Sequence, residues 1–247
     1  MDNDFIVNSS DTCVYSKIIG SDCFIICLYV DDMLIFCPNV NVINETKNFL
    51  PSKFEMKDLG EADVILGVKI KRTPYGFSFC QSYYIEKMFR KFDCFDVVPV
   101  RTSYDPSIHL KKNKESTVSQ IEYAKIIGSV LFLMNYTRLD ITYAVSRLRR
   151  YIHTPSSEHS NALHRLLMFL RGSINWCLHF NKFPVVLEGF CDANRVTDND
   201  EVSSTSGYVF TLGAGAISWK SFKPTCIARS TMRSEFIPLE LAGQKSE

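Results

Sequence analysis

Residues 23–37 read CFIICLYVDDMLIFC, and this stretch decides the fold of the first third of the chain. Two apolar runs rich in β-branched residues flank the acidic pair Asp31-Asp32, the pattern of a β-hairpin buried on at least one face. Strand alternation breaks down at a tight turn, so the two carboxylates can point the same way there. Like charges that close repel unless a divalent cation neutralises them. Carboxylates that hold two such ions ~3.5–4 Å apart let the ions clamp the attacking and leaving oxygens of in-line phosphoryl transfer. The plain alternative is a solvated Asp-Asp turn, which seldom needs apolar strands this long on both sides.

Working outward, a helix is expected near Val42–Leu50, stopped by Pro51. Val64–Ile70 reads as a strand, Pro74-Tyr75-Gly76 as a turn and Phe77–Gln81 as the partner strand; Tyr83–Phe92 has helical spacing. Residues 105–118 are polar and basic and form the best candidate linker. The middle is helical: Ser119-Gln120-Ile121-Glu122 is a capping-box signature, Asp140 is placed to cap a second helix, and a third near Glu158–Leu170 ends at Gly172. Beyond Pro184 the pattern returns to β, with short strands at Leu187–Ala193, Ser206–Leu212 and Ala216–Lys220, and a helix from about Ser230. The expectation is an α+β chain.

The composition excludes several classes. Over 247 residues, 46% hydrophobic and 13% aromatic content is too much apolar surface for a disordered chain. The formal charge of +1 advertises no global attraction to nucleic acid or membrane. The longest uninterrupted apolar run, Cys23–Val30, is far short of the ~20 residues needed to span a bilayer. The acidic, polar N-terminus MDNDFIVNSS has no signal-peptide pattern, so a cytoplasmic or nuclear, non-secreted protein is expected. Nine cysteines, with no CxxC pair, favour reduced thiols over a disulfide framework or zinc site.

Between residues 138 and 171 stand six arginines and no lysine, against Asp140 and Glu158, so the segment is locally +4. Arg138, Arg147, Arg149 and Arg150, with Arg165 and Arg171, are candidates for tracking nucleic-acid phosphates, because guanidinium forks onto phosphate. A solvated basic helix face is the alternative. The five histidines show no metal-ligand spacing, and Trp176 and Trp219 read as core.

Leu28-Tyr29-Val30-Asp31-Asp32 resembles the YVDD box of reverse transcriptases. In the same order as copia-type retrotransposon polyproteins follow Asp58-Leu59-Gly60-Glu61-Ala62 with Ile65-Leu66-Gly67-Val68, then Gly128-Ser129, Thr137-Arg138-Leu139-Asp140 and Tyr143-Ala144-Val145, then Ser204-Thr205-Ser206-Gly207-Tyr208 and Ile217-Ser218-Trp219. The resemblance runs from about Val14 to Gln244. It implies a partial reverse-transcriptase palm and thumb followed by a truncated RNase H-like mixed sheet with helix. The implied boundaries are 1–105 for the palm remnant and start of the thumb, 106–118 for the linker, 119–185 for the helical thumb or connection, and 186–247 for the RNase H-like part.

By the same resemblance Asp31 and Asp32 are the polymerase carboxylates, Tyr29 and Val30 lie near the primer end and incoming nucleotide, and Leu66-Gly67 is the turn that grips the primer. Asp192 and Glu235 are the first two RNase H carboxylates. The four acids would hold Mg²⁺; the partners would be RNA template, DNA primer and RNA–DNA hybrid, with the rest of a Pol polyprotein and no membrane. The chain departs from the family pattern at Arg195 (usually Trp), Leu139 (usually Pro) and Arg233 (commonly Glu). The family's upstream Asp has no counterpart among Asp2, Asp4, Asp11 and Asp22, and the later RNase H carboxylates fall beyond Glu247. The expectation is therefore a fragment inactive as an isolated chain, the alternatives being a non-catalytic nucleic-acid binder or a decaying element's product without selected function.

Overall fold

A computed structural model describes residues 5–113, 118–181, 186–194, 205–224 and 230–246. Arg195, Ser204, part of the 105–118 stretch, and Asp198 and Asp200 (expected from the sequence to be solvated acids of a polar loop) lie outside the described residues. The chain contains both helices and sheets, an α+β composition, and divides into two compact units, Met1–Glu61 and Ala62–Glu247.

The first unit is an antiparallel sheet in the order β1 (Ile6–Val7), β2 (Val14–Ile19), β3 (Asp22–Tyr29), β4 (Asp32–Phe36), followed by α1 (Val40–Phe49). The 23–37 stretch forms the expected hairpin, registered from Ile25↔Phe36 to Tyr29↔Asp32. β2, missed in the sequence, pairs with β3 from Val14↔Cys27 to Ile19↔Asp22, and Gly20 turns between them at φ 65°. Phe24 is buried against Phe5, while α1 buries no residue. Asn39 caps α1 by accepting from the Asn41 N–H.

The second unit is built on helices. α2 (Ser82–Lys91), α3 (Gln120–Tyr136), α4 (Thr142–Leu148) and α5 (Ser157–Gly172) enclose a core that includes Phe89, Ile127, Leu133, Val145 and Leu166. α3 buries Tyr123, Ile127, Val130, Leu133 and Met134, the stripe expected of a 3.6-residue period. Leu110, inside the stretch read as a linker, is buried in this core, and its carbonyl accepts from the Tyr151 hydroxyl at 2.8 Å. The Ser119 hydroxyl caps α3 by accepting from the Glu122 N–H. Asp140 does not cap α4, contrary to expectation: it lies in a preceding 3-10 turn and spends both carboxylate oxygens on Arg138.

Two sheets complete this unit. One has the order β5 (Val64–Ile65), β6 (Val68–Thr73), β7 (Gly76–Cys80), β8 (Cys177–Asn181), all antiparallel. Its apolar face, with Val68, Ile70, Phe79 and Phe180, lines a cleft of about 340 Å³ with Tyr136 and Trp219. β8 was not foreseen. It brings Cys177 opposite Cys80 with Cα atoms 4.6 Å apart, and the two form a disulfide. The expectation of reduced thiols throughout is corrected here, because cross-strand register sets a bridgeable separation that sequence spacing hides. The other sheet is the expected antiparallel trio, ordered β11 (Gly215–Phe222), β10 (Thr205–Leu212), β9 (Leu187–Asn194), with α6 (Thr231–Ser246) packed on β9 and β10. The Trp219 indole donates to the Met134 carbonyl at 2.9 Å, tying β11 to α3. Trp176, read as core, is 55% exposed.

Candidate functional site

Tyr29 and Asp32 close the hairpin as the last cross-strand pair, so Val30 and Asp31 are the two residues of its turn. Two-residue hairpin turns need positive φ to match strand twist, and glycine or asparagine normally supplies it. Here Val30 does, at φ 51°. A β-branched residue in the left-handed region is an outlier costing of order 1–3 kcal/mol, and such strain concentrates at functional sites. Val30 is 88% exposed, so no core contact compensates for it. Tyr29, Asp31 and Asp32 are exposed beside it. The turn thus presents two carboxylates, flanked by an aromatic ring and a strained aliphatic side chain, on one tip.

Leu66 and Gly67 form a second two-residue turn, between β5 and β6, at φ 52° and 74°. Positive φ at both positions is the signature of a type I′ hairpin. The single strand expected over Val64–Ile70 is therefore two, folded back at Leu66-Gly67. A Cβ added to Gly67 would meet nothing within 4 Å, so the turn's outer side is open to an approaching backbone.

Asp192 lies on β9 and Glu235 on α6, the helix that packs on that strand, and both are exposed. Among the described residues no cluster of three or more His, Cys, Asp or Glu is arranged to hold a metal. The donor chemistry nevertheless fits Mg²⁺. All four acids offer hard carboxylate oxygens, and Mg²⁺ is commonly held by one or two carboxylates, with waters and substrate phosphates filling the shell.

The arginine-rich segment is arranged otherwise than its local charge implied. Arg138 is 2% exposed; its Nε and Nη2 reach Asp140 at 2.9 and 2.7 Å, and Nη1 and Nη2 donate to the Ser173 carbonyl and hydroxyl. Its guanidinium also lies over Phe169 and Trp176. Arg147, 4% exposed, donates to the Tyr143 hydroxyl and stacks over Tyr104. Neither offers a face to phosphate, which corrects that expectation for Arg138 and Arg147. Arg165 reaches Asp105 and Thr102, and Arg171 lies over Phe95. Arg149 is exposed and Arg150 half-buried. Most of the segment's charge is spent internally.

Sequence reasoning passed over Ser78 and His179, whose Oγ and Nδ1 lie 2.8 Å apart across the β7–β8 pairing. The two are 101 residues apart, and no local pattern announces β8.

Residues 1–106 match the family described as reverse transcriptase (RNA-dependent DNA polymerase). A Retrovirus-related Pol polyprotein from transposon TNT 1-94 of Nicotiana tabacum is 36% identical over 98% of this chain and 19% of its own length. The corresponding polyprotein from transposon RE1 of Arabidopsis thaliana is 33% identical over 94% of this chain and 16% of its own. An uncharacterized mitochondrial protein of Arabidopsis thaliana is 29% identical over 87% of this chain and 90% of its own length. The chain thus spans less than a fifth of the two polyproteins. No solved structure matches it. No helix among the described residues is long and apolar enough to cross a membrane. The YVDD hairpin, the family match that contains it and the near-full-length likeness to transposon polyproteins agree: the chain belongs to the copia-type retrotransposon Pol family and carries its reverse-transcriptase sequence.

Proposed function

We propose that this chain is the part of a copia-type Pol polyprotein that joins its RNA-directed DNA polymerase to its RNase H. Residues 1–105 would be palm and the start of the thumb, 106–118 a linker that packs onto the helical core through Leu110, 119–185 the helical thumb or connection, and 186–247 the RNase H-like part. The observation that carries the polymerase reading is the turn itself: two adjacent exposed carboxylates beside Val30 at φ 51°, where a merely structural hairpin would place glycine or asparagine. Asp31 and Asp32 would hold Mg²⁺ there, and Asp192 with Glu235 would do so in the RNase H-like part. Bound Mg²⁺ supplies charge stabilisation for in-line phosphoryl transfer, in synthesis at the first site and in hydrolysis of the RNA strand of a hybrid at the second. Tyr29 and Val30 would bear on the primer end and nucleotide, and Leu66-Gly67 on the primer backbone. Arg149 and Arg150 remain the arginines of the segment for template–primer phosphates.

With two acids at each centre among the described residues, the chain alone is expected to bind RNA–DNA hybrid without extending a primer or cleaving the RNA. The test is primer extension on an RNA template, by the chain alone and by a polyprotein that contains it, each with Asp31→Asn. Extension by the polyprotein that vanishes in Asp31→Asn supports the reading. Undiminished extension in that variant overturns it. A non-catalytic nucleic-acid binder would instead bind hybrid with a steep salt dependence while both forms of the polyprotein stay inactive.

A further inference from the structure

The face of the β5–β8 sheet opposite the apolar cleft carries a row of polar side chains that belongs to neither carboxylate site. Register places Lys71 opposite Ser78 and Ser78 opposite His179, so a cation, a hydroxyl and an imidazole form one row across three strands. Directly paired residues share a face, so Lys69, two positions along β6, lies on the same side, about 6.8 Å away along the strand. Lys69, Lys71 and His179 are exposed, while Ser78 between them is 4% exposed and held 2.8 Å from the His179 Nδ1.

We propose that this row is a phosphate-binding site that holds the backbone of a nucleic-acid strand arriving from the Leu66-Gly67 turn; it rests on the polymerase reading and adds to it a second, charged stretch of backbone contact. The absence of any acid in β6, β7 and β8 favours it: VKIKRT, GFSFC and CLHFN contain no Asp or Glu. Opposite charges set across from one another would stabilise a solvated strand pair. Here Lys69 and Lys71 face Cys80 and Ser78, and no ion pair among the described residues engages them. When the buried Ser78 hydroxyl donates to Nδ1, the proton of the exposed His179 ring sits on Nε2, where it can donate to an oxyanion. Two lysines in line along β6 give two cationic contacts to a strand that follows it, and the row supplies a neutral donor beside them. The β6 strand begins at Val68, directly after Gly67, so a backbone passing the open side of that turn meets Lys69 first and Lys71 next.

The test measures binding of a fluorescent RNA–DNA hybrid by anisotropy across a salt series, using the full chain. Each lost cationic contact should lower the slope of log K against log salt by about 0.9. Lys69→Gln and Lys71→Gln should each show that drop and weaken binding roughly two- to fivefold. Lys71→Arg should restore the slope, and Ser78→Ala should weaken binding with the slope unchanged. Lys87→Gln, on the exposed side of α2, is the control and should leave the slope as it is. If Ser78→Ala unfolds, the two lysine variants decide, since their side chains are exposed. Wild-type binding that Lys69→Gln and Lys71→Gln leave as unchanged as Lys87→Gln does would overturn the site while sparing the polymerase reading. No hybrid binding by the wild-type chain would overturn both.

Discussion

Replacing Arg138 by alanine removes a side chain that makes four hydrogen bonds within the helical part of the molecule. At 2% exposure its guanidinium has left water altogether, and four contacts compensate: two to Asp140 at 2.7 and 2.9 Å, one to the Ser173 hydroxyl at 2.6 Å and one to its carbonyl at 3.3 Å. Breaking a buried ion pair by deleting one partner costs about 3–5 kcal/mol, because the partner stays behind uncompensated. Asp140 is 27% exposed and can recruit water, which puts Arg138→Ala near the lower end, about 3–4 kcal/mol including the space left between Phe169 and Trp176. Asp140→Ala should cost at least as much, since it strands the charge that has no access to solvent. For a domain of this size 1 kcal/mol moves Tm by about 2–4 °C, so Arg138→Ala should lower it by about 6–16 °C. Thermal melting followed by far-UV circular dichroism measures this directly. A loss below about 1 kcal/mol, or an Asp140→Ala variant as stable as wild type, would refute the account of Arg138 as a buried strut and reopen its role as a phosphate contact.

His159 is buried and accepts the Ser156 N–H on Nδ1, completing the cap of α5; burial pushes its pKa down, with Glu158 and the Lys111 backbone opposing. The unfolded chain therefore takes up this proton first, so stability present above about pH 6.5 is lost as pH falls below it. His159→Gln keeps the acceptor of a capping box and should flatten that acid limb in melts run against pH. A Cβ on Gly76, at φ 150°, would run into the Phe180 backbone, so Gly76→Ala should cost more than about 3 kcal/mol by urea unfolding. Gly128, in α3 with nothing within 4 Å of an added Cβ, should gain about 0.5–1 kcal/mol from Gly128→Ala in the same assay. Val30→Gly relieves the left-handed valine, and amide exchange in β3 and β4 should slow by a factor of a few, as a net gain of about 0.5–1 kcal/mol requires.

What could be read from the sequence was local. The β3–β4 hairpin, the stripe of α3 and the trio β9–β11 each carry their own periodicity and turn residues, so their existence followed from a window of ten or fifteen positions. Pairings over longer separations were not readable. β8 is five residues without a clean alternation, and its partner β7 lies on the far side of four helices. The disulfide, the Ser78–His179 contact and the sheet's charged face all depend on that pairing. The arginines were misjudged for a related reason: a charge count cannot tell that Asp140 and Ser173 would enclose Arg138, or that Tyr104 and Tyr143 would cover Arg147. The location of Asp31 and Asp32 at a strand-to-strand turn was legible because both strands adjoin it, whereas pairing Asp192 with Glu235 came only from the order of family motifs.

The pairing of β7 with β8 also has a consequence for synthesis on the ribosome. Cys80 leaves the exit tunnel with its strand while Cys177, its register partner, follows 97 residues behind it. At about 5–20 residues per second, β7 waits roughly 5–20 s with one edge unpaired and Phe77 and Phe79 on its surface. During that interval the strand is open to nascent chains on neighbouring ribosomes and to chaperones that bind extended apolar segments. A synonymous change that slows translation between α2 and β8 would lengthen the exposure without altering one residue of the product, and yield of soluble chain should fall with it.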